Sequence, residues 1–241
     1  LTQEGWKFFG NLTPQDKVAQ YDDGVISFVK PLDIVWQKYE GDMYTDSKTQ
    51  FKVTPNHRVL FKSFSSGENK IVRADEFKPS SDKRYIVGGC KTEGDLNLSD
   101  AFIRLLVATQ ADGCLAKDCS AITYSFIKAR KIGRMESILN SLFADYTKSE
   151  FTRNGRTEVV FRLKASDLSV LVRNYLDHNK SFTNKLLNLN FKGLKTLLEE
   201  VKFWDGTARD NGDVVLDTTD KISCEFIQTV ASLVGCKTTL N

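Results

Sequence analysis

The chain has 241 residues, 34 Lys and Arg against 31 Asp and Glu for a formal charge of +3, and 41% apolar with 27% charged residues. That balance excludes wholesale disorder, and no run approaches the ~20 consecutive apolar residues of a membrane span. The five Cys lack paired spacing and no basic-then-apolar leader opens the chain, which predicts a reducing compartment, cytoplasmic and not secreted.

Residues 1–96 read as all β. Short runs rich in Val, Ile, Phe and Tyr (Val25–Val29, Ile34–Trp36, Phe51–Val53, Arg58–Lys62) alternate with the turn clusters Asp22-Asp23-Gly24, Glu40-Gly41-Asp42 and Ser65-Ser66-Gly67. Many short strands without helical periodicity predict a compact fold with a curled sheet. Gly88–Asn97, with glycines at 88, 89 and 94, reads as a linker.

The period then changes. Ser99 is placed as an N-cap, with Leu98 stapling against Ile103. The helix Asp100–Ala111 is apolar nearly all round, which predicts cover on more than one side. Asp112-Gly113 ends it, with Gly113 expected in the left-handed conformation. Strands are predicted at Cys114–Lys117 and Ala121–Ile127, and a helix over Ala129–Phe143. A hairpin turns at Asn154-Gly155, and its second strand alternates Val159, Phe161 and Leu163 with Glu158, Val160, Arg162 and Lys164. A helix capped by Ser166 runs to Leu176.

After a polar bridge (Asp177–Lys185) the order begins again: a helix Phe191–Trp204 ending at Asp205-Gly206, a hairpin at Asn211-Gly212 and a helix Lys221–Val234. This internal repeat of helix, Asp-Gly, strands and helix is the most informative feature of the chain. Two such helices packed together would set Asp112 and Asp205 side by side, and paired carboxylates suit Mg²⁺. The strands would form twisted sheets able to follow duplex DNA.

The charge is local. Residues 1–96 hold 14 basic and 14 acidic side chains, and residues 97–241 hold 20 and 17. Between 128 and 164 nine basic residues (Lys128, Arg130, Lys131, Arg134, Lys148, Arg153, Arg156, Arg162, Lys164) face four acidic ones. Such clustering is an electrostatic footprint for a polyanion. Lys128, Arg130, Lys148, Arg153, Arg156, Arg162 and Lys164 are the candidate DNA-binding residues.

Leu105-Leu106-Val107-Ala108-Thr109-Gln110-Ala111-Asp112-Gly113 resembles the first LAGLIDADG motif of homing endonucleases, matching it literally at Leu105, Ala111, Asp112 and Gly113. Leu198–Gly206 resembles the second motif, matching at Leu198, Asp205 and Gly206, while Glu199 and Glu200 depart from its small-residue pattern. The resemblance implies an α+β endonuclease of two pseudo-symmetric αββαββα halves. Asp112 and Asp205 would be the catalytic, Mg²⁺-binding acids, cutting one strand each of a double-stranded DNA target site.

Thr54-Pro55-Asn56-His57-Arg58-Val59-Leu60 resembles the Thr-x-x-His block of the Hint fold, and Thr2–Lys7 with Gly10–Val18 resemble the strand and turn that follow an intein's first residues. This implies an all-β Hint (hedgehog/intein) domain. In it His57 would protonate the leaving amine, Thr54 would position the scissile bond, and the host-protein exteins would be the other reactants. Together the resemblances identify a multidomain chain, an intein carrying its own homing endonuclease. Residues 1–92 would be a partial splicing domain and 97–241 the endonuclease, with halves about 97–180 and 181–241, the second incomplete.

The chain departs from that pattern at both ends. The intein nucleophile is absent before Leu1, and Leu240 precedes Asn241 where a penultimate His belongs. The expectation is therefore either one piece of a split intein, which needs complementary intein segments, or the ordered part of a longer polypeptide. Two rivals to an active nuclease are a splicing intein whose endonuclease has decayed, and a module that binds DNA without cutting it. Cys114 and Cys119 are a poor zinc signature. Cys90, Cys224 and Cys236 are expected as small buried apolar residues, His178 is expected at the surface, and Lys117 and Lys202 are weaker phosphate contacts.

Overall fold

The computed structural model describes residues 1–45, 51–116, 121–153, 155–164 and 167–239. The predicted turn at Asp22-Asp23-Gly24 joins β1 (Val18–Asp22) to β2 (Val25–Val29), with Asp22 opposite Val25. Asp23 and Gly24 both take positive φ, +38° and +92°, the requirement of a two-residue hairpin whose twist matches its strands. β3 (Tyr44–Thr45) pairs with β4 (Lys52–Val53), and β5 (Arg58–Ser63) lies between β6 (Asn69–Arg73) and β7 (Lys83–Tyr85). Phe61, Phe77 and Tyr85 pack edge-on and tilted, with centroids 5.2–5.4 Å apart. These are separate small sheets, with no closed barrel among the described residues.

Two expectations for this block are corrected. Ile34–Trp36 is not a strand: none of the described residues pairs with it, and Val35 and Trp36 are 74% and 64% exposed. Gly88–Asn97 is not a free linker. It contains β8 (Cys90–Lys91), which runs parallel to β2. The Gly89 N–H donates to Ser232 O (2.9 Å), and the buried Lys91 Nζ donates to Leu187 O and to Leu189 O (3.3 Å). A Cβ at Gly88 would lie 2.3 Å from Ser232 O, so glycine is there for backbone contact and not for flexibility.

In the rest of the chain the elements are α1 (Asp100–Asp112), β9 (Gly113–Leu115), β10 (Ala121–Phe126), α2 (Ala129–Ser141), β11 (Tyr146–Arg153), β12 (Arg156–Lys164) and α3 (Asp167–Arg173). α4 (Phe191–Val201), β13 (Gly206–Ala208), β14 (Val214–Leu216) and α5 (Lys221–Leu233) follow. The Ser99 side chain caps α1 by accepting from the Phe102 N–H. As its all-round apolar pattern requires, α1 buries Phe102, Ile103, Leu105, Leu106, Val107, Ala108 and Thr109. Each large side chain so buried contributes about 1.5–3 kcal/mol. α4 crosses α1 at Gly193, where a Cβ would stand 3.3 Å from the Ile103 Cδ1. The sheet of β11, β12, β10 and β9 covers the helices through Ile122, Tyr124, Phe126, Val159, Phe161 and Leu163.

Three details differ from expectation. Gly113 is not left-handed (φ −73°, ψ 142°). It is small because β9 leaves α1 against the helix's own last turn, and a Cβ would meet Thr109 O at 2.7 Å. α4 ends at Val201, three residues before Trp204. Cys90, Cys114 and Cys236 are exposed and Cys224 half-buried, because none lies on an inward-facing position of its element. The expected cap Ser166, turn residue Asn154, Lys117, Cys119 and Asn241 lie outside the described residues.

Candidate nucleic-acid interface and the paired acids

Strand register decides which basic residues share a surface. Val159, Phe161 and Leu163 are buried, so their neighbours Glu158, Val160, Arg162 and Lys164 point away from the helices. Opposite partners share a face. Thr147, Arg162, Thr123 and Cys114 therefore form one outward row across four strands, and Ser149, Val160 and Ser125 the next. Arg156 stands further along the same face, exposed, and Arg153 is its register partner. Lys164 is exposed, with Asp145 3.5 Å away. The outer face is thus hydroxyl-rich and basic, interrupted by Glu158 and by Phe151 at 57% exposure.

The other candidates lie elsewhere. Lys148 is opposite Phe161 and so faces α2, where its Nζ lies 3.3 Å from Glu136. Arg130 donates to Phe203 O at 2.5 Å, closing the turn after α4. Lys128 is the exposed N-cap of α2, with no side-chain cap bond. The seven candidates therefore do not form one patch. Arg156, Arg162 and Lys164 do.

Asp112 closes α1, and Asp205 follows the turn after α4. Lys131 of α2 reaches Asp112 at 2.5 Å, with its Nζ 5.9 Å from the centroid of the Trp204 ring. Burial and then the charge of Asp112 push the Asp205 carboxyl above its ordinary range, with Lys131 and Lys180 opposing. The two acids are near enough to repel. Gly206 repeats the role of Gly113, since a Cβ there would lie 2.7 Å from the Lys202 Cα. Both glycines fit a strand leaving its own helix at close quarters.

In charge and ligand type the two carboxylates fit a divalent cation, which would relieve their repulsion. They do not make a closed cage. Among the described residues, no group of three or more His, Cys, Asp or Glu could hold a metal.

The decisive residue that the sequence reading passed over is Glu200, noted there only as a departure from a motif. It is 1% exposed, accepts from Arg134 of α2 through both carboxylate oxygens, and accepts from Trp204 Nε1 at 2.9 Å. Arg104 of α1 adds a contact at 3.6 Å. The signal was an unpaired Glu at an apolar helix position that also lacks an i+4 cation. Tyr124 and Thr109 share a second buried bond of 2.7 Å. Lys202 caps α4 and lies 5.1 Å from the Phe203 ring centroid. His178 is exposed.

Thr54 and His57 are brought together only by a local turn: the His57 N–H donates to Thr54 O at 3.0 Å, and the Thr54 hydroxyl donates to Asn56 Oδ1 at 2.8 Å. The His57 ring is exposed.

No model of a known protein family matches the chain. Among curated proteins it is similar to ribonucleoside-diphosphate reductase subunit beta of Aquifex aeolicus (strain VF5), 25% identical over 282 aligned positions, covering 100% of this chain and 40% of that protein. The chain thus spans less than half the length of that relative. Among solved structures it overlaps full-length DUF199/WhiA from Thermatoga maritima at 12% identity, TM-score 0.28, over 59% of this chain and 58% of that one. A likeness of that degree carries no argument.

The reductase relative overturns the resemblance drawn from the sequence. It bears the name of a reductase subunit, not of an intein or a LAGLIDADG endonuclease. The assignments as a splicing element and as a DNA hydrolase fall, and with them the splicing roles of Thr54 and His57 and the strand-cutting roles of Asp112 and Asp205. The structure gives the matched letters other reasons to be there. Ala108 is buried in the core, Gly113 and Gly206 admit a close strand, and Asp112 is ion-paired to Lys131. No helix among the described residues is long and apolar enough to cross a membrane.

Proposed function

We propose that the outer face of the β9–β12 sheet is a docking surface for double-stranded DNA, without a cutting step. The observation that carries this is the register, which sets Arg156, Arg162 and Lys164 on one face with Thr123, Ser125, Thr147 and Ser149. A two-stranded ribbon fits the major groove. The eight residues of β11 extend it by about 27 Å at ~3.4 Å per residue. The cations would contact phosphates and the hydroxyls would reach phosphate or base edges. A hydrated Mg²⁺ would be held by Asp112 and Asp205, its remaining ligands coming from water or phosphate oxygens.

The test is fluorescence anisotropy of a labelled duplex. Affinity should fall linearly in log–log form between 50 and 200 mM salt, with a slope of about −0.9 per phosphate neutralised. Absence of binding at the low-salt end would overturn the proposal.

The reductase relative supports a second, compatible reading of context: the chain works as part of, or beside, a polypeptide related to that subunit. Co-purification of the chain with a polypeptide of that kind would support this placement, and failure of the two to associate would refute it.

A further inference from the structure

The outer face of the β6–β5–β7 sheet sets like charges opposite one another. Val59 and Phe61 are buried, so Arg58, Leu60 and Lys62 alternate to the other face. The register places Arg73 opposite Arg58, Ile71 opposite Leu60, and both Asn69 and Arg84 opposite Lys62. Two rows of facing cations, Arg58–Arg73 and Lys62–Arg84, thus flank an apolar row. Like charges directly opposite destabilise a strand pair. Asp75 relieves the first row by accepting two hydrogen bonds from Arg73. Among the described residues, the other acid paired on this sheet is Glu68 with Lys70, and none pairs with Arg58, Lys62 or Arg84. Phe64, just past β5, joins this face through Arg84, whose guanidinium carbon lies 4.5 Å from its ring centroid. Phe64 and Ile71 are 67% and 51% exposed.

We propose that this face binds single-stranded nucleic acid, on a sheet separate from the duplex surface of β9–β12. Phosphates lying on the two cation rows would remove the repulsion that the register builds in. The rows are four residues apart along β5, about 14 Å at ~3.4 Å per residue, so a strand crossing from one to the other passes over Leu60 and Ile71. Its bases would lie on that apolar row and stack on Phe64 beside the Arg84 guanidinium. Cations that track the backbone, with an aromatic ring to stack on, are the working parts of single-strand sites. The aromatic ring decides the class of ligand. A duplex keeps its base faces stacked inside, and an acidic peptide would match the charges but leave Phe64 without a planar partner.

The test titrates the whole chain against a labelled oligodeoxythymidine and, separately, a labelled duplex, by fluorescence anisotropy over a range of salt. Lys62→Ala and Arg84→Ala should each lower the single-strand salt slope by about 0.7 and leave duplex affinity unchanged. Phe64→Ala should weaken single-strand binding by at least about fivefold, and Phe64→Trp, which keeps an aromatic face, should restore it. Arg162→Ala on the other sheet should leave single-strand affinity unchanged, so this proposal and the duplex reading fail separately. No binding of the oligodeoxythymidine at low salt would overturn the proposal. So would equally tight binding of inorganic polyphosphate or polyglutamate, or a Phe64→Ala affinity equal to that of the parent.

Discussion

Arg134 of α2 grips Glu200 of α4 through both carboxylate oxygens, at the level where Trp204 Nε1 also donates to Glu200. The guanidinium stacks on Phe203, 4.2 Å from the ring centroid, and its pKa is raised chiefly by the hydrogen bond to Glu200. One buried acid thus ties three helices at the end of the sheet that carries the candidate interface.

Glu200→Ala removes the acceptor and leaves a partly buried cation and an indole N–H without partners. The expected loss is about 3 kcal/mol, read by urea denaturation at neutral pH. Glu200→Gln keeps an acceptor for Trp204 and should lose less, about 1–2 kcal/mol. Equal losses in the two variants would show that the charge contributes nothing.

Asp205 holds its proton to higher pH when folded than when unfolded, because burial and Asp112 both disfavour its charge. The folded state therefore binds more protons between the unfolded carboxylate pKa, ordinarily about 3.9, and the raised folded value. Asp205 contributes stability below that window and loses it as pH rises through it. Asp205→Asn should be more stable than the parent near neutral pH, by under about 1 kcal/mol after solvent screening. The advantage should vanish in acid. Melting curves from pH 3 to 7 measure this, and a gain that is constant across the range would contradict it.

Three glycine-to-alanine changes separate close packing from chain entropy. At Gly113 and Gly206 the new Cβ would fall 2.7 Å from backbone atoms of Thr109 and Lys202, so each should destabilise by about 1–3 kcal/mol. Gly133 in α2 has open space around its Cβ position, and Gly133→Ala should stabilise by about 0.5–1 kcal/mol. Thermal denaturation of the three variants decides the order.

The two faces of the β11–β12 hairpin should differ in DNA binding. Arg162→Ala and Arg156→Ala should weaken duplex affinity and each reduce the salt slope by about one contact. Lys148→Ala, on the face that pairs with Glu136, should leave both within error. An equal effect of Lys148 and Arg162 in the anisotropy titration would remove the reason for placing DNA on the outer face.

Much of the secondary structure was legible locally. Ser99, the all-round apolar run after it, and Asp23-Gly24 each specify backbone geometry through nearest neighbours, and α1 and the β1–β2 turn form accordingly. The alternation of β12 was equally plain, since its period of two assigns faces before any partner is known. Ile34–Trp36 had the composition of a strand and no partner to pair with, which composition does not reveal.

The sequence by itself determined the helices and hairpins, the clustering of positive charge in 128–164 and the recurrence of Asp-Gly after α1 and α4. Only the tertiary structure decided which charges are available. It sent Lys148 to Glu136, Arg130 to Phe203 and Lys131 to Asp112, and left Arg156, Arg162 and Lys164 on one open face. It also turned Glu200 inward and set Cys90 beside the end of α5. The reason is physical: caps, turns and periodicity act over a few residues, whereas an ion pair or a shared face depends on strand register and helix crossing, which are settled only when distant segments bury one another.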